Sequence, residues 1–124
     1  MSVETAEPLV IEWRALQVRY AQVSCAIERA LQEEHGLGLS EFEALDRLME
    51  IGDQCRGQQL VDLLPLSQSA ASRLIARLER DGLVERTVCE NDRRAIFVRM
   101  TDAGRARYDV AKTTQRKVLA ETLR

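Results

Sequence analysis

Several things are missing from this 124-residue chain, and each absence removes a class of function. There is one histidine, His35, and no base–nucleophile pair for it to join, so a catalytic relay has no parts. The six glycines sit where helices stop and not in a phosphate-cradling loop. The three cysteines, Cys25, Cys55 and Cys89, are odd in number and far apart, with no CxxC spacing. They predict neither a disulfide framework nor, with His35, a metal site. No apolar run approaches the length of a membrane span. The first residues carry Glu4, Glu7 and Glu12 where a secretory signal would be basic and then apolar. A non-enzymatic protein of the cytoplasm, with no cofactor, no metal and no membrane partner, is the expectation.

Lysine is also absent, from residue 1 to residue 111. What remains is 45% apolar and 31% charged, the balance of a globular domain with a real core. The net charge of −2 hides a partition. Residues 1–55 carry a net −7, residues 56–107 a net +3 built on ten arginines, and residues 108–124 a net +2. Such asymmetry, more than total charge, is the footprint of a nucleic-acid surface.

The arginine-bearing stretch is built around residues 67–82. At a period of 3.6, Ala71, Leu74, Ile75 and Leu78 form an apolar stripe. Gln68, Ser69, Ser72, Arg73, Ala76, Arg77 and Arg80 fall opposite. Ser67 suits the N-cap, and Gly82 suits a left-handed stop. A helix whose outer face starts with small hydrogen-bonding side chains and continues into arginines can reach base edges and phosphates.

The flanking segments complete a pattern. From about 8 to 34, Leu9, Trp13, Leu16, Tyr20, Val23, Ile27 and Leu31 recur at steps of three and four. They predict a long helix whose seam fits either its own core or a second chain. Ser40 and Glu43 form an S-x-x-E capping box for a second helix with Phe42, Leu45, Leu48 and Met49 inward. A short third helix, Gln58 to Leu64, is stopped by Pro65. After Gly82 the period changes to two over 83–88 and again over 96–100, with a polar loop between. Helix, short turn, recognition helix and hairpin make a winged helix-turn-helix. Thr101 caps a last helix.

At Leu78-Glu79-Arg80-Asp81-Gly82-Leu83-Val84-Glu85-Arg86, then Asp92-Arg93-Arg94 and Thr101-Asp102-Ala103-Gly104, the sequence resembles the MarR family of winged-helix transcriptional regulators. The signature L-x-x-x-G-L-V-x-R, D-x-R, T-x-x-G is closest over about 57–105, and the order of elements extends it to nearly the whole chain. The resemblance implies one domain, 1–124, mainly α with a small two-stranded antiparallel wing. Residues 8–34 and 102–124 would be dimerisation helices and 40–101 the DNA-binding lobe. Family members usually carry a further helix beyond the one that here runs to Arg124.

It further implies a homodimer on a pseudo-palindromic double-stranded DNA operator, acting as a repressor that a small ligand releases. Ser67, Gln68, Ser69, Ser72, Arg73 and Arg77 would face the major groove, and Arg93 and Arg94 at the wing tip the minor groove, which concentrates negative potential. Asp92 would hold an arginine in place or simply make the turn. A pocket for a small aromatic ligand would involve Trp13, Tyr20 and Phe42. Some relatives sense peroxide through a cysteine in the first helix, which points to Cys25, although no basic residue adjoins it in sequence to favour the thiolate. Two alternatives stand beside this reading: a winged helix used as a protein-interaction module, and a thiol-based regulator using Cys25.

Overall fold

The computed structural model describes residues 3–89 and 92–124, without the side chains of 3–5, 89 and 92–95. Five helices and three short strands follow in the order α1 (Val3–His35), α2 (Leu39–Ile51), β1 (Gln54–Arg56), α3 (Gly57–Leu63), α4 (Gln68–Arg80), β2 (Val84–Cys89), β3 (Asp92–Met100) and α5 (Asp102–Leu123). The architecture is mainly helical with a small antiparallel sheet, as expected, but the sheet has a third strand. The order is β1-β3-β2, so β3 is central, with Cys55 opposite Val98 and Arg86 opposite Val98 on its other edge. Three residues are too few to show an alternation, which is why β1 has no signal in the sequence.

Two helix starts differ from expectation. Helix α1 begins at Val3 and takes Pro8 within its second turn, where the missing N–H removes one early intrahelical bond. Helix α2 begins one residue before Ser40, with Gly38 at the N-cap and no side-chain cap. The capping box therefore does not form. The N–H of Leu39 instead donates to the Glu28 carboxylate of α1, and that of Phe42 to the Gly38 carbonyl at 2.9 Å. A tertiary acceptor has replaced the local one.

Helices α1 and α5 run antiparallel. His35 Nε2 lies 2.6 Å from Thr114 Oγ1 at one end, and Arg19 donates to the Leu123 carbonyl at 3.0 Å at the other. The core below them gathers Leu31, Phe42, Leu45, Leu48, Leu60, Leu78, Val84 and Val98, all essentially inaccessible. Phe42 stacks on Tyr108 of α5, with ring centroids 5.7 Å apart. The Tyr108 hydroxyl donates to Asp46 Oδ1 at 2.6 Å, and Arg116 donates to the same oxygen at 3.2 Å. This buried polar cluster ties α2, in the lobe, to α5.

The lobe meets α5 at a close contact. The N–H of Leu83 donates to the Leu78 carbonyl at 2.9 Å, and its own carbonyl accepts from the N–H of Thr101 at 3.1 Å. Thr101 Oγ1 donates to the Gly82 carbonyl at 2.7 Å and accepts from the N–H of Gly104 at 3.0 Å. Gly82, at φ 76°, supplies the left-handed residue that lets the chain turn from α4 into β2. A Cβ on Gly104 would fall on the Leu83 carbonyl.

Two tests follow from this packing. Gly104→Ala should overpack a backbone contact that cannot give way as a side chain could, lowering stability by about 1–3 kcal/mol. A denaturant midpoint equal to wild type would show that the junction relaxes freely. Burial, and then the bond to Asp46, push the Tyr108 phenol from its ordinary 10.0 up to about 12. Because the folded value is the higher one, the neutral phenol's contribution is complete below 10.0 and lost as pH rises through about 12. Wild type should therefore lose stability relative to Tyr108→Phe between those values; parallel unfolding curves for the two proteins would contradict this.

Candidate nucleic-acid interface

Helix α4 is amphipathic in the sense the sequence predicts. Ala71, Leu74, Ile75 and Leu78 are buried, whereas Gln68, Ser69, Ser72, Arg73, Ala76, Arg77 and Arg80 are exposed. Ser67 caps it by accepting from the N–H of Ala70 at 3.2 Å. Pro65 and Ser67 end α3 and start α4 within four residues, which sets the short turn between the two helices.

The outer face is wired into its surroundings at both ends. At the start, the amides of Gln68 and Gln58 of α3 bond each other reciprocally at 3.1 Å, and Gln58 also donates to Asp62 at 2.8 Å. Near the end, Arg86 of β2 donates to Glu79 Oε1 through Nε at 3.0 Å and Nη2 at 2.8 Å. These bonds hold the Glu79 carboxyl below the usual range and raise the Arg86 guanidinium. Arg77 is paired as well, with Nε 3.5 Å from Glu41 of α2. Arg73, one turn earlier, makes no ion pair among the described residues.

Between α4 and the sheet lies a cleft of about 280 Å³ that Gln68 and Ser72 share with Arg56, Gln58 and Arg86. Sequence reasoning singles out the first two and does not place the other three beside them in this cleft. Arg86 carries the last position of the signature and could have been found there. Arg56 ends the three-residue β1 and stands at the N-cap of α3, and its guanidinium lies 5.9 Å from the centre of the Phe97 ring, a contact no pattern marks. Asp92 opens β3 at the hairpin end, with Arg93 and Arg94 following it along the backbone. The side chains of all three lie outside the described residues, and so do the wing contacts expected of Arg93 and Arg94.

The proposed pocket residues are not brought together. Phe42 is fully buried in the core, Trp13 is 58% exposed, and Tyr20, 72% exposed, alone borders a cavity, one of about 320 Å³ between α1, α2 and the α3–α4 turn. Cys25 is exposed on α1, and Arg29, one turn on, shares its shallow groove.

The model of the MarR family matches residues 35–95. The HTH-type transcriptional regulator MhqR of Bacillus subtilis (strain 168) is 34% identical over 70 residues, 56% of this chain and 48% of that protein. The chain thus spans about half the length of the curated relative it matches. Among solved structures, AbsC, a MarR family transcriptional regulator from Streptomyces coelicolor, superposes with a TM-score of 0.85 at 27% identity, over 94% of this chain and 78% of that one. Sco3205, a MarR family transcriptional regulator from the same organism, solved in complex with DNA, gives 0.84 at 25% identity, over 98% and 74%.

Proposed function

This chain belongs to the MarR family of transcriptional regulators, and from that premise we propose that it represses transcription as a homodimer on a pseudo-palindromic DNA operator and that a small molecule releases it. The observation that carries the reading is helix α4, with its apolar stripe buried and its serine, glutamine and arginine face open beside a wing. Likeness at 25% identity to a regulator in complex with DNA supports it. The N-terminal end of α4 enters the major groove; Gln68 and Ser72 read base edges, Arg73 grips phosphate, and Arg93 and Arg94 reach the minor groove. Arg77 joins only by exchanging Glu41 for a phosphate. A regulator that binds DNA works in the cytoplasm; among the described residues no helix is long and apolar enough to cross a membrane.

The dimer is carried by the first half of α1. Trp13, Leu16 and Tyr20 are each more than half exposed. Further along the same stripe, Val23 packs against this chain's own core, and Ile27 and Leu31 are buried in it. An apolar stripe of this length exposed among the described residues fits a second copy of itself. Leu16→Glu should therefore yield a monomer by light scattering and abolish operator binding. Since Leu16 lies outside the monomer's core, the helical content should survive; a stable dimer in this variant would move the interface elsewhere.

Base reading is separable from charge. Ser72→Ala and Gln68→Ala should narrow the difference in affinity between operator and random DNA with little change in the salt slope, because neither side chain is charged. Arg73→Ala should weaken binding to both and make the slope shallower by about one ion. A salt titration of each variant on both DNAs measures this. Equal losses on the two DNAs for the neutral substitutions would place base reading on other residues.

A further inference from the structure

The cavity between α1, the start of α2 and the α3–α4 turn has a chemistry of its own. Ile27, Leu39 and Pro65 supply apolar wall, and Glu43 is the one charged side chain in its lining. The hydroxyl of Ser24 is already committed, donating to the Tyr20 carbonyl at 2.7 Å. The guanidiniums close enough to act on Glu43 are engaged elsewhere: Arg47 bonds Glu50 at 3.3 Å, and Arg116 bonds Gln115 at 2.7 Å and Asp46 at 3.2 Å. Among the described residues nothing bonds the Glu43 carboxylate. Burial, and then the nearby Asp46, raise its pKa, with Glu50 adding to the same effect. A half-buried carboxylate facing apolar wall without a counter-ion is complementary to a cation and repels an anion. Arg29 lies with Glu28 in the adjoining shallow groove, not in the cavity's lining.

We propose that this cavity takes a small apolar amine, its ammonium bonded to Glu43, and discriminates against the matching carboxylic acid. A volume of about 320 Å³ is at the lower end of small-molecule pockets and suits a one-ring ligand. Leu64 and Pro65 line the cavity and directly precede the Ser67 cap of α4, so an occupant wedged against α1 acts on the start of the recognition helix. This rests on the reading that a small molecule controls DNA binding, and deepens it by assigning the molecule's class.

The test is an NMR titration of the full chain with 2-phenylethylamine and with phenylacetate, following the backbone amides of residues 20–27, 39–43 and 64–66. The amine is expected to bind at least about tenfold more tightly than the acid, as one charge-assisted bond allows. Glu43→Gln should remove most of that preference, and Glu43→Lys should reverse it. An acid that binds as well as the amine, a preference unchanged in Glu43→Gln, or no perturbation of these amides by the amine would overturn the assignment. Operator release is read separately, on DNA from upstream of the protein's own gene. An amine that binds through Glu43 but leaves DNA affinity unchanged would sink the release reading and leave the cavity's chemistry standing.

Discussion

The carbonyl of Leu83 is the point on which the two halves of this fold depend. One residue, Leu83, closes α4 through its N–H, leads into β2, and receives the N–H of Thr101 on its oxygen, while Gly104 presses α5 against the same peptide. Only a residue without a Cβ fits there, and only a left-handed residue at Gly82 delivers Leu83 to it. The recognition helix, the sheet and the long C-terminal helix are thereby held in one register. The signature L-x-x-x-G-L-V-x-R with T-x-x-G is a list of what this junction requires: Leu78, Leu83 and Val84 buried, Gly82 turning, Arg86 bonding back to Glu79, Thr101 capping and Gly104 yielding space.

That explains why so much could be read from the sequence. The helices, the apolar stripe of α4, its cap and the hairpin are all set by local periodicity and by residues with one physical use. What could not be read depends on neighbours. The start of α2 is fixed by Glu28 from another helix, so a well-formed local capping box lost to a tertiary acceptor. Strand β1 exists because β3 offers it an edge, not because Gln54-Cys55-Arg56 has a pattern. Phe42, read as a pocket residue, is drawn into the core by Tyr108, and the pairing of Arg77 with Glu41 reflects where α2 crosses α4.

The single apolar stripe of α1 has two fates. Val23, Ile27 and Leu31 join the core, whereas Trp13, Leu16 and Tyr20 stay more than half exposed. The stripe is continuous in sequence because the same 3.6-residue period serves both a core and a surface, and periodicity alone cannot tell which. The charge partition along the sequence is not a partition between the two halves: Glu41, Glu43, Glu50 and Asp53 come from the α2 segment of the lobe, and Arg105 and Arg107 lie on α5.

The bonds around α4 also determine how a disturbance would travel. The helix is fastened at its start through Gln68 to Gln58, along its length through Arg77 to Glu41, and near its end through Glu79 to Arg86. Each fastening joins it to a different element, so α4 cannot rotate about its own axis without breaking polar contacts at both ends. It can shift only together with the elements it is fastened to. The α3–α4 turn, with Pro65 and Leu66 bordering the cavity beneath α1, is where such a movement would be driven, because α1 is anchored independently through α5. A displacement of a fraction of the groove's width at Ser67 carries Gln68 and Ser72 with it, since both sit within the first turns after the cap. Under the proposed function, base reading would be the first property lost in such a shift, because hydrogen bonds to base edges tolerate less misplacement than attraction to phosphates does.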